Sequence, residues 1–180
     1  MTRPVYKTML AAIALLLATG AHAAPLSDKP GTAMAPDKDA LFLRDAAEAG
    51  ALEIEASKLA QTRASGEAVK TFAAQMIRDH QAADEKLRQL ARKLGIQLPA
   101  SPPEVKKQEL EKLGRLSGGA FDSAYARQFG VDAHQEAVAL FRNAADEAKD
   151  DSVKAFARQT LPTLNHHLEM ARQLASQAKQ

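Results

Sequence analysis

Glu53, His80, His134 and His167 each fall on an apolar face that repeats with helical spacing, and their side chains are of the kinds that bind first-row transition metals through nitrogen and oxygen. At 100° per residue, His80 shares its face with Met76 and Leu87. His134 lies with Val131, Val138, Phe141 and Ala145, His167 with Leu164, Ala171 and Leu174, and Glu53 with Phe42, Ala49 and Ala60. A single inward histidine is ordinarily a core residue satisfied by one neighbour. Its recurrence on separate segments, beside a carboxylate that is costly to bury alone, points instead to a shared site. Asp84, one turn after His80, is a candidate extra ligand, with Asp132 behind it. The candidate metal set is therefore Glu53, His80, His134, His167 and Asp84, for one divalent ion, zinc first and copper or iron after it.

The neighbouring polar residues read differently. His166 points about 100° away from His167 and is expected in solvent. Tyr125 reads as a packed ring with a wet hydroxyl, and Asp79 as a partner for Arg78 or for a neighbouring helix. The chain has no Cys and no Trp, which excludes disulfides, thiolate metal sites and cysteine nucleophiles within it. It also lacks a glycine-rich phosphate loop, a Gly-x-Ser-x-Gly elbow, a His-Glu-x-x-His zinc motif and the Glu-x-x-His pair of ferritin-like diiron proteins. No catalytic residue is assigned, and whether the protein is an enzyme is left open.

Helices must position these residues. The chain has 180 residues, 4% of them aromatic, and its body is rich in Ala rather than in β-branched types, a composition that favours helices over strands. Periodicity predicts helix one over 38–62. Ser65-Gly66 interrupts it, and helix two runs to a stop at Gly95. Ser101-Pro102-Pro103-Glu104 resembles a capped start, with Ser101 as N-cap of a short helix over 102–115. Ser117-Gly118-Gly119 then precedes helix three over 121–148, and helix four follows over 151–177, with Asp150 or Asp151 as N-cap and a kink expected at Pro162. None of these helices can bury its apolar stripe alone, so the expected fold is an all-α four-helix bundle with a short extra helix between helices two and three. If that long connection runs the length of the bundle, helices two and three are parallel, as in ferritin-like folds; the alternative is an up-down-up-down order.

The first 23 residues are organised differently. Arg3 and Lys7 precede the apolar run Met9 to Ala18, and Ala21-His22-Ala23 supplies a small-x-small cleavage pattern, so 1–23 reads as a signal peptide too short to span a bilayer. A proline-punctuated leader over 24–37 leads to the bundle domain at 38–177. Cleavage turns 24 basic against 22 acidic residues into 22 against 22. With its charges intermixed, the mature chain presents no basic stripe for nucleic acid and no one-sided basic helix for a membrane surface. The expected location is the periplasm, or outside the cell, as a monomer or weak homo-oligomer with no membrane insertion after cleavage.

Four stretches resemble the exported bacterial domain-of-unknown-function family 4142. They are Phe42–Ala60 with Ala49-Gly50-Ala51-Leu52-Glu53, Val69–His80 ending Met76-Ile77-Arg78-Asp79-His80, Phe121-Asp122-x-x-Tyr125 leading to Asp132-Ala133-His134, and Leu161-Pro162-Thr163-Leu164-Asn165-His166-His167. The resemblance covers about 38–175 and implies export and a ferritin-like helical fold, with His80, His134 and His167 at the family's motif histidines and His166 at a variable position. Two functions follow as expectations. One is a non-enzymatic envelope or stress-associated protein that stabilises the cell surface or binds another envelope protein. The other is a divalent-metal-binding protein with one nitrogen and oxygen site inside the bundle.

Overall fold

A computed structural model describes residues 37–177 of the chain. The expected signal peptide, and the leader up to Pro36, lie outside the described residues. Among the described residues the fold is all-α, with no strand. The elements are α1 (Lys38–Arg63), α2 (Glu67–Lys93), α3 (Glu104–Gly114), α4 (Gly118–Ala124), a π-helical segment (Tyr125–Asp132), α5 (Ala133–Glu147) and α6 (Asp151–Gln177). α4, the π segment and α5 follow one another without a break and act as one long rod.

Each boundary has a local cause. Asp37, the last leader residue, accepts the Asp39 amide and caps α1. α2 ends where Gly95 turns to a φ of 67°, letting the Ile96 amide reach back to the Ala91 carbonyl at 2.9 Å, a left-handed cap that glycine adopts without strain. Asp150 caps α6 through the amides of Ser152 and Val153, as expected. The Ser101 cap does not form: α3 begins at Glu104, with Pro103 in the capping position. The physical reason is the proline pair, because Pro103 drives Pro102 away from helical torsions. Pro162 sits inside an unbroken α6.

Two buried carboxylates fix the order of the rods. Asp122, near the start of α4, accepts the amides of Ser65 and Gly66 at 3.1 and 2.8 Å and the Ser65 hydroxyl at 2.7 Å. It satisfies the exposed donors at the start of α2, so α2 and the α4–α5 rod begin at the same end. At the other end, Asp39 of α1 accepts the amides of Lys149 and Asp150, at the α5–α6 corner, at 2.8–3.0 Å. α2 and the α4–α5 rod are therefore parallel, and the 94–117 connection carries α3 back along α1, where Leu113 is buried.

The core divides into two apolar clusters. One gathers Phe42, Leu43, Leu87, Phe141, Val153 and Phe156, and the other gathers Leu52, Phe72, Met76, Phe121, Tyr125 and Phe129. Along α2 the chain passes from the second cluster (Met76) to the first (Leu87), and His80 lies between. The α4–α5 rod crosses the same way from Phe129 to Ala137 with His134 between, and α6 crosses back from Leu164 to Ala171 with His167 between. The rods thus bring their polar residues to one level, where the apolar core is interrupted.

Candidate metal centre

The four inward residues identified by spacing are all buried, Glu53 at 3% exposure and His134 at 0%. They meet. Ring centroids of His80 and His134 lie 5.7 Å apart, and each of them lies 5.4 Å from that of His167. One ring nitrogen from each histidine falls within 4.8 Å of the other two. Three donors on such a triangle lie at most about 2.8 Å from its centre, against about 2.0–2.1 Å for a zinc–imidazole bond, so a small inward movement of each ring brings them to bonding distance. A buried three-histidine cluster capable of coordinating a metal ion is present.

Hydrogen bonding determines which nitrogen each ring offers. His134 Nδ1 donates to the Gly130 carbonyl at 2.8 Å, leaving Nε2 as the lone-pair nitrogen. Glu53 Oε1 also lies 3.3 Å from His134 Nδ1, but that nitrogen has a single proton and the shorter carbonyl contact takes it. His167 Nε2 donates to Asp79 Oδ2 at 2.8 Å, leaving Nδ1. His80 turns Nδ1 to Glu53 Oε2 at 3.2 Å, leaving Nε2. The three remaining nitrogens, together with Glu53 Oε1, are buried and have no hydrogen-bond partner. Each buried polar atom left in that condition costs about 1–3 kcal/mol.

Electrostatics fit the same arrangement. Burial and the neighbouring rings hold His80 well below the usual histidine range, and burial draws His134 down to about 4. His167 is also lowered by burial, against the opposing pull of Asp79. All three imidazoles are neutral at pH 7, the form that binds metals. Burial raises the Glu53 carboxyl to about 8.

The structure redistributes the other expected roles. Glu53 meets the Nδ1 edges of His80 and His134, and it is not among the groups within 4.8 Å of one another. Asp84, expected as an extra ligand, pairs with Arg88 at 2.7 Å one turn further along α2 and also stands apart from that group, although it lines the same 40 Å³ cavity as His80 and His167. Asp79 takes the neighbouring-helix alternative by holding His167. His166 is exposed, as expected. The Tyr125 hydroxyl is not wet: it is buried against the Ser57 hydroxyl at 2.7 Å, with Phe72, Phe121 and Phe129 packed around the ring.

Sequence reasoning missed the π segment and the Gly130 carbonyl. The Ala133 amide bonds the Gln128 carbonyl five residues back, widening the turn just before His134. Gly130 faces α6 so closely that a Cβ there would lie 2.8 Å from Ala171 Cβ. A glycine inside a helical pattern, four residues before an inward histidine, is the available signal for this contact.

A family model described as a domain of unknown function, DUF4142, matches residues 24–174. Among solved structures, a DUF305 protein from Streptomyces coelicolor, described as a candidate secreted protein, aligns with a TM-score of 0.68 at 18% identity, over 79% of this chain and 93% of that one. A DUF305 fragment from Deinococcus radiodurans aligns with a TM-score of 0.69 at 15% identity, over 79% of this chain and 97% of that one. These likenesses are of fold. No curated protein matches the chain.

Proposed function

The chain belongs to the DUF4142 family, whose model spans most of its length, and we propose that it is an exported, ferritin-like four-helix bundle that binds one divalent metal ion through His80, His134 and His167. The observation that carries this reading is the set of three buried, unpartnered ring nitrogens whose opposite nitrogens are each turned to an oxygen. Under the competing reading, an envelope protein whose histidines are purely structural, each imidazole would be satisfied within the protein. Here each has one buried nitrogen with no partner within the protein, and a single metal ion would satisfy all three at once.

Glu53, Asp79 and the Gly130 carbonyl form the supporting shell, orienting the rings and raising their basicity. The carboxylates of Glu53 and Asp79 offset the charge of a dication bound by three neutral donors. Imidazole donors suit zinc, copper and iron, and zinc heads the order because a small all-histidine set accommodates its coordination without a preferred geometry. The parallel placement of α2 and the α4–α5 rod supports the ferritin-like order. Export is supported by the basic, apolar and small-residue pattern of residues 1–23 and by the description of the Streptomyces relative. In such a setting the protein would store, buffer or deliver the ion.

Equilibrium dialysis of metal-free mature protein against zinc, copper(II) and iron(II) tests the proposal. One equivalent of metal is expected in the wild type and none in His80→Ala, His134→Ala or His167→Ala, with helical content retained. Absence of uptake by the wild type, or uptake that survives all three substitutions, rejects it.

A further inference from the structure

Three nitrogens leave a tetrahedral ion one further position, and whether the protein fills it distinguishes a closed structural site from an open one. Among the described residues no fourth side chain joins His80, His134 and His167 in the group within 4.8 Å. The neighbouring carboxylates are engaged elsewhere. Glu53 stands at the Nδ1 edges of His80 and His134, Asp79 holds His167 Nε2, and Asp84 pairs with Arg88.

The direction of the fourth position follows from the packing. The histidines reach the site from three rods at one level, so their nitrogens form a triangle lying across the bundle, with one face toward each apolar cluster. On the side of the second cluster, one turn from the respective histidines, stand Met76, Phe129 and Ala171, at 1%, 2% and 0% exposure. That face meets close-packed core. The cavity of about 40 Å³ lies on the other side: besides His80 and His167, its lining takes in Leu87, Ala137, Phe141 and Leu164 of the first cluster, and no member of the second. Small side chains keep it open, since Ala46, Ala49, Gly50 and Ala83 present at most a methyl group to it. At roughly 10–15 Å³ for each water, it takes about three.

We propose that the ion held by the three histidines keeps a fourth, exchangeable position facing this cavity, for one monodentate ligand of up to about three heavy atoms, water at rest and a small anion in exchange. The inference rests on the metal-binding reading above. Charge and space select the ligand. Three neutral imidazoles cancel none of the dication's charge within its own shell, which favours an anion as fourth donor, and the cavity excludes a group as large as a five-membered ring. The ligand enters between α2 and α6, where Ala83 is half-buried and Thr163 exposed in the cavity wall.

Cobalt(II) bound in place of zinc has a visible absorption that reports its coordination shell, and azide, three atoms in line, is the probe. Azide titrated into cobalt-loaded mature protein is expected to shift the spectrum with one azide per cobalt, whereas imidazole at the same concentrations leaves it unchanged. Ala49→Leu and Ala83→Leu fill the cavity from α1 and α2. Each is expected to keep one equivalent of cobalt and to weaken azide binding about tenfold or more. A wild-type spectrum indifferent to azide, imidazole binding as well as azide, or azide affinity unchanged in both filled variants overturns the proposal while leaving the metal site intact. Should a filled variant lose its cobalt, the wild-type contrast between azide and imidazole decides. No metal uptake by the wild type overturns both readings.

Discussion

Loading the three histidines with a dication is expected to expel a proton from Glu53 rather than from any imidazole. Burial holds the Glu53 carboxyl near 8, so at pH 7 about nine tenths of the metal-free molecules carry that proton. The histidines are depressed, His134 to about 4, and carry none. A dication about 7 Å from the carboxylate, one ring width beyond the coordinating nitrogens, favours the ionised form by roughly 5 kcal/mol at an effective dielectric constant of about 20, or between three and four pKa units. That brings Glu53 well below neutrality, and about one proton leaves with each ion bound. Titration calorimetry of zinc binding at pH 7, in buffers of different ionisation enthalpy, measures the number released. Glu53→Gln keeps the shape and removes the proton, so wild type minus variant is expected to give about 0.9 proton at pH 7 and about 0.1 at pH 9. A difference near zero at pH 7, or a wild-type count that rises toward three because the imidazoles were charged, refutes the reasoning.

Asp79→Asn removes the charge that holds His167 Nε2 at 2.8 Å, and zinc affinity is expected to fall about 10- to 100-fold with little change in melting temperature; unchanged affinity would remove Asp79 from the supporting shell. Gly130→Ala gains up to about 1 kcal/mol of helix propensity, but it sets a methyl 2.8 Å from the Cβ of Ala171, which is fully buried on a helix and cannot retreat. A net loss of about 1–3 kcal/mol is expected in urea unfolding, together with weaker zinc binding as the Gly130 carbonyl moves from His134. Asp39→Ala and Asp122→Ala each strand amides at a helix corner and are expected to cost about 1–3 kcal/mol, adding without coupling in the double variant because the corners lie at opposite ends. In the metal-free protein, the lowered histidines contribute stability that is complete above about 6.5 and lost as pH falls. Glu53 acts in the opposite direction, its stabilising contribution complete below its ordinary 4.5 and lost as pH rises toward about 8. Three groups outweigh one, so thermal unfolding is expected to come earlier from pH 7 to 5, and more steeply so in Glu53→Gln.

What the sequence could and could not disclose divides along a physical line. Helical periodicity is a property of one segment, so the faces of α1, α2 and α6, the inward turn of Glu53, His80, His134 and His167, and the cap at Asp150 could be read from local spacing. The capping role of Ser101 could not, because a local rule met a stronger local rule in Pro102-Pro103. The close approach of Gly130 to Ala171 joins residues 41 positions apart, so it has no local signature. The chemistry of the site is further removed still. Spacing places an imidazole on an inner face but says nothing of which nitrogen it presents, and that choice is made by Asp79 reaching across to His167, by the Gly130 carbonyl below His134, and by Glu53 against His80. For Asp79, spacing leaves two partners open, Arg78 or a neighbouring helix, and cannot choose between them. The packing of α6 against α2 makes the choice, bringing the carboxylate to the His167 imidazole. Glu53 reads as a ligand by type and direction, yet once the rods converge it stands behind the rings. Under the proposed metal-binding reading, a carboxylate in that position would orient the rings and exchange its proton for the charge of a bound ion, acting on it through the histidines rather than as a ligand.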